Sequence, residues 1–209
     1  MTSDPAVQWA TTVLFGALTA CSLWRLVTAR HLFAGTGHLF HLGMNLVMVA
    51  MVWPWWARLP APPQVAFFAA GAAFFAGAVG WFALDGLSTT DRRRAGRRRS
   101  ARCQAVNAVM MLAMVWMLAV MTRHADGVGG TAGAAHSAHA AAPVPPDVTT
   151  VAGGSVLLAA LAAGGVLFLV DLVRYRRRHD ALGRTGADLL AGALMSLGMA
   201  AACGLVLVG

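Results

Sequence analysis

Six stretches of the chain run almost continuously apolar, at about residues 8–27, 39–56, 65–86, 104–123, 150–174 and 187–208, with short polar or Pro/Gly-rich segments between them. Each is close to the roughly 20 residues of helix that cross a bilayer's hydrocarbon core. The pattern predicts an all-α, polytopic membrane protein with six transmembrane helices in a single membrane domain. "RLPAPPQ" at 58–64 breaks the second span from the third, and "DRRRAGRRRSAR" at 91–102 separates the third from the fourth. A Gly/Ala/His/Pro-rich stretch, 124–149, reads as a flexible external loop before the fifth.

Charge adds a direction to this pattern. Arg25 and Arg30 fall between spans one and two, seven arginines between three and four, and "RYRRRHDALGR" between five and six. Positively charged loops stay on the cytoplasmic side, so both termini and the His-containing loop are expected outside the plasma membrane. Trp53, Trp55 and Trp56 are then expected to anchor the outer end of span two. The net charge of +8 is accounted for by this topology, and no nucleic acid partner is expected. The first residues, "MTSDPAVQW", lack the basic region of a cleaved signal, so the first span is expected to remain in the fold.

Composition excludes several chemistries. Cys21, Cys103 and Cys203 are far apart and form no CxxC, which indicates neither a disulfide framework nor a zinc site. No nucleophile with a base, phosphate loop or carboxylate pair stands out, so no enzyme activity is expected. Asp171 with Arg174 one turn later, and Thr185 with Asp188 as a capping box, read as structural features.

Methionine carries the candidate chemistry. Apart from Met1, every methionine lies on span two (Met44, Met48, Met51), span four (Met110, Met111, Met114, Met117, Met121) or span six (Met195, Met199). "HLGMNLVMVAM" from His41 aligns without gaps on "NAVMMLAMVWM" from Asn107, and "MSLGM" repeats the core in span six. MxxxM therefore occurs once in each even-numbered span, and the chain reads as three degenerate two-helix units. Residues at i, i+3/4 and i+7 share a helix face, so each even helix presents a thioether stripe with sulfurs about 6 Å apart in height. Three converging stripes would stack rings of soft, neutral donors suited to Cu(I) or Ag(I), and not to Zn(II), Mg(II) or Ca(II). The competing reading is packing, since methionine is an adaptable filler between helices. Met111 points about 100° away from Met110, so those two cannot both serve one stripe.

Histidines flank the stripes. His38 and His41 lie at the inner end of span two on one face, placed to receive or release metal, or to sit at the interface without a ligand. The external loop carries His124, His136 and His139, which would collect copper for Met121, or belong to a linker of no fixed structure.

At His41-x-x-Met44-x-x-x-Met48-x-x-Met51 and Met110-Met111-x-x-Met114-x-Trp116-Met117 the chain resembles an actinobacterial membrane family, domain of unknown function 5134. That family has a histidine at the position of Asn107, and the resemblance implies no established activity. The MxxxM helices are also similar, over about five residues each, to the filter helix of Ctr-type copper transporters, to which three subunits contribute one helix apiece. These observations lead to a membrane protein that binds or conducts Cu(I), with the lipid bilayer, copper ion and a protein partner or second copy as partners. Two other readings are a haem-binding electron-transfer protein, weakened because spans four and six lack a mid-span histidine, and a metal-free scaffold. The scaffold would use small-residue faces such as Ala160-x-x-x-Gly164 and Gly192-x-x-x-Ser196.

Overall fold

Backbone polar groups in hydrocarbon must bond within their own segment, so apolar runs of this length fold as helix. The computed structural model describes residues 5–29, 31–85, 91–129, 148–178 and 183–208. These form α1 (Pro5–Thr28), α2 (Leu32–Met51), α3 (Ala61–Asp85), α4 (Asp91–Gly129), α5 (Val148–Arg176) and α6 (Arg184–Val208), with a short 3-10 helix at Pro54–Arg58. All six α-helices are long and apolar enough to span a membrane. Their outer faces leave large apolar side chains uncovered, Trp24 and Trp81 at 70% exposure and Val156 at 68%. Such surfaces suit lipid rather than water.

Both boundaries of α2 and both of α4 differ from the sequence expectation. α2 starts at Leu32 and stops at Met51, because Pro54 cannot continue an α-helix and instead opens the 3-10 turn. The tryptophans there divide: Trp53 packs edge-on against Trp9 of α1 at 5.7 Å, Trp56 is buried, and Trp55 stays exposed. Trp56 is thus a core residue and not an interfacial anchor. α4 begins at Asp91, so the arginine run is helix and not a separating loop. Arginine is a good helix former and only Gly96 dilutes the run, so nothing local ends it. α4 also continues to Gly129, taking in the first residues of the expected loop, while 130–147 lie outside the described residues.

The ion pairs also differ. Asp171 bonds Arg99 of α4 at 3.3 Å rather than Arg174 on its own helix. Asp188 pairs with Arg25, tying α6 to α1, and Thr185 already lies inside the first turn of α6 rather than capping it.

Consecutive helices pack as hairpins, α1 on α2, α3 on α4 and α5 on α6, which matches the three two-helix units. Contacts of α2 with α3, α4 with α5 and α6 with α1 close them into a ring, and α4 also reaches α6. The α5/α6 seam is built on small residues. A Cβ on Gly164 would stand 3.3 Å from Ser196 Oγ, and that hydroxyl donates to the Leu161 carbonyl at 2.7 Å. Between α4 and α5, a Cβ on Gly154 would meet the Trp116 ring at 2.5 Å and Leu207 at 2.8 Å. Gly154→Ala should therefore force Trp116 and α5 apart and cost about 1–3 kcal/mol, read as a lower unfolding temperature in detergent.

Candidate metal centre

Each MxxxM face turns inward. Met44, Met48 and Met51 on α2, Met110, Met114 and Met117 on α4, and Met195 and Met199 on α6 are all no more than 7% exposed. They belong to one contiguous buried cluster, and Met121 packs partly buried against its edge. Phe15 from α1, Phe68 and Phe75 from α3, and Leu161 from α5 belong to the same cluster. The odd helices supply rings and aliphatic groups, and the even helices supply the sulfur. Aromatic rings beside thioethers are favourable neighbours, worth about 0.3–1.5 kcal/mol per contact.

One position fixes how the stripes are turned. The residue after the first methionine of each MxxxM is Asn45, Met111 or Ser196, and all three are fully buried. Each faces the partner helix of its own hairpin. Asn45 Nδ2 donates to Ser22 Oγ of α1 at 3.3 Å, Met111 Sδ lies 3.1 Å from the Cβ position of Gly71 on α3, and Ser196 donates to Leu161 of α5. Met44, Met110 and Met195 sit about 100° around their helices from these seams. Met111 consequently packs against Gly71 of α3, on a different face from the candidate ligands Met110 and Met114.

At the arginine-bearing end, the two aligned residues His41 and Asn107 meet in space. The partly buried His41 ring lies near Asn107 and the backbone of Gly37, and its centroid is 5.5 Å from that of Phe75. Asn107 Nδ2 donates in turn to Gln104 Oε1 at 3.4 Å. His38, one turn below His41, is partly buried within electrostatic reach of Arg25 and Asp188. His124 falls on the last turns of α4, where only the backbone is described, and His136 and His139 lie outside the described residues. The loop histidines are therefore not joined to the methionine cluster by any described contact.

Sequence reasoning passed over Asn45, Ser22 and Gln104, although a polar residue inside an apolar run is itself a signal. Asn45 Oδ1 is fully buried and has no hydrogen-bond partner among the described residues. Cys203 is fully buried in the methionine cluster as well. Among the described residues no three His, Cys, Asp or Glu side chains form a ligand group, so the concentrated donors are thioethers.

Six bilayer-length helices folded around a methionine-rich interior define a multi-pass α-helical membrane protein. The chain belongs to the family described as Domain of unknown function (DUF5134), which matches residues 33–206. Among curated proteins it is similar to "Uncharacterized protein Rv0970" and "Uncharacterized protein MT0998" of Mycobacterium tuberculosis and "Uncharacterized protein Mb0995" of Mycobacterium bovis. Each is 32% identical over 123 residues, covering 58% of this chain and 52% of the relative. The chain thus spans about half the length of the curated relatives it matches. No solved structure matches it.

Proposed function

We propose that this protein binds Cu(I) in its methionine core and serves copper transport or homeostasis in the plasma membrane, without catalysing a reaction. The observation that carries the reading is the burial of eight methionines from three alternate helices in one cluster. The donor chemistry fits the ion: thioethers are soft and neutral, so they hold a monovalent soft cation without the buried carboxylate that a hard cation needs. Met44, Met110 and Met195 make one tier, and Met48, Met114 and Met199 a second about 6 Å further along the helices. Met51, Met117 and Met121 extend the stripe beyond them.

In this reading the arginine-bearing ends face the cytoplasm and both termini lie outside. His41, near Asn107, stands one turn from Met44 and marks the inner mouth, with His38 beyond it. A ladder of weak, similar sites suits an ion that must leave each one. The three MxxxM helices of one chain then take the part that three subunits share in the Ctr-type pattern.

Metal content tests the proposal. Protein purified in detergent, equilibrated with Cu(I), Ag(I) or Zn(II) and desalted, should retain at least one Cu(I) or Ag(I) per chain and only background zinc. Retention of zinc without copper would overturn it.

A further inference from the structure

On the outer face of α5, Val166, Leu169, Val170, Val173, Arg174 and Arg177 line one open cavity of about 350 Å³. Their spacing of three and four residues sets them along one side of the helix, over about 16 Å of its length. That is roughly half the thickness of a bilayer's hydrocarbon core. The four aliphatic side chains are exposed, and nothing among the described residues covers them. The two arginines are exposed as well, and they stand at the end of the apolar track where a span leaves the hydrocarbon.

We propose that this face holds an anionic phospholipid, with an acyl chain along Val166, Leu169, Val170 and Val173 and the headgroup phosphate between Arg174 and Arg177. Guanidinium groups three residues apart on one helix face converge on a single anion, and arginine's planar fork matches phosphate oxygens in pairs. Asp171, the acidic residue beside this face on α5, is bonded to Arg99 of α4 and does not neutralise it. Among the described residues no carboxylate pairs with Arg174 or Arg177, and two such cations favour a headgroup with net negative charge over one that brings its own ammonium. The apolar track runs along the axis of a spanning helix, as acyl chains do. A lipid fits it better than a protein partner. The inference is independent of copper binding.

Native mass spectrometry of the full chain released from nanodiscs of phosphatidylglycerol or phosphatidylcholine tests it. The wild-type chain should keep one phosphatidylglycerol through detergent washing and no phosphatidylcholine. R174Q/R177Q should cut that retention at least tenfold, while R176Q/R178Q, which removes the same charge from the same helix end outside the cavity, should leave it unchanged. The substituted side chains are exposed, and equal unfolding temperatures in a neutral detergent confirm that both variants fold. Equal retention of the two lipids by the wild type would overturn the proposal. So would equal losses in the two double variants, which mean charge in general and not a site, or a protein seated on this face in place of lipid.

Discussion

Replacing Met44, Met48, Met110, Met114, Met195 and Met199 together with leucine is expected to abolish Cu(I) binding while the helical bundle survives. All six side chains are buried in the shared cluster, so each thioether is lost as a donor without opening the core to water. Losing one outer-shell support of a metal ligand already weakens affinity about 10–100-fold, and removing the ligands themselves should exceed that. Leucine and methionine have similar volumes, and such swaps usually cost less than about 1.5 kcal/mol each. Circular dichroism should show unchanged helix content, and competition with a Cu(I) chelator should show binding reduced more than ~100-fold. Substituting only the second tier, M48L/M114L/M199L, keeps the experiment readable should the sixfold variant fold poorly. Undiminished binding in either folded variant contradicts the assignment.

Met111→Ala is expected to do the reverse, destabilising the protein strongly while leaving Cu(I) bound. Met111 is fully buried and its sulfur and Cγ fill the space beside Gly71, which a Cβ there would invade. Truncating a buried methionine to alanine costs about 2–5 kcal/mol, depending on how far α3 can collapse onto the cavity. Unfolding in detergent should show that loss, and the Cu(I) affinity of the remaining folded protein should stay within about threefold of wild type, less than half a decade. The two variants together separate methionine as ligand from methionine as filler, since the same side-chain type is removed from different faces of α4. Loss of copper with stability intact would make Met111 a ligand instead of a packing residue.

Much of this arrangement was legible in the sequence because hydrophobic length and periodicity survive in a membrane almost unmodified by tertiary context. The six spans, the pairing into hairpins and the inward turn of the MxxxM faces all follow from that. The gapless alignment set His41 opposite Asn107, and the two side chains lie near each other. What the pattern hid were choices between competing partners. Asp171 has Arg174 one turn away, yet it bonds Arg99, a choice that depends on where α4 lies. That in turn depends on α4 running unbroken from Asp91, which a charge run read as a loop obscured.

Asn45 was hidden for another reason. Flanked by Met44 and a run of aliphatic residues, it lies on the seam with α1, and only the packed structure brings Ser22 within 3.3 Å of it. The boundary at Met51 was misjudged because Trp55 and Trp56 extend the apolar run past Pro54. Composition carried on where backbone geometry could not.

X-ray absorption at the copper edge of the Cu(I)-loaded protein tests the central claim most directly. The account predicts a first shell made of sulfur alone, present in the wild type and in the folded M111L variant and absent when Met44, Met48, Met110, Met114, Met195 and Met199 are all leucine. A first shell of nitrogen or oxygen, or a sulfur shell that persists in that sixfold variant, would contradict it.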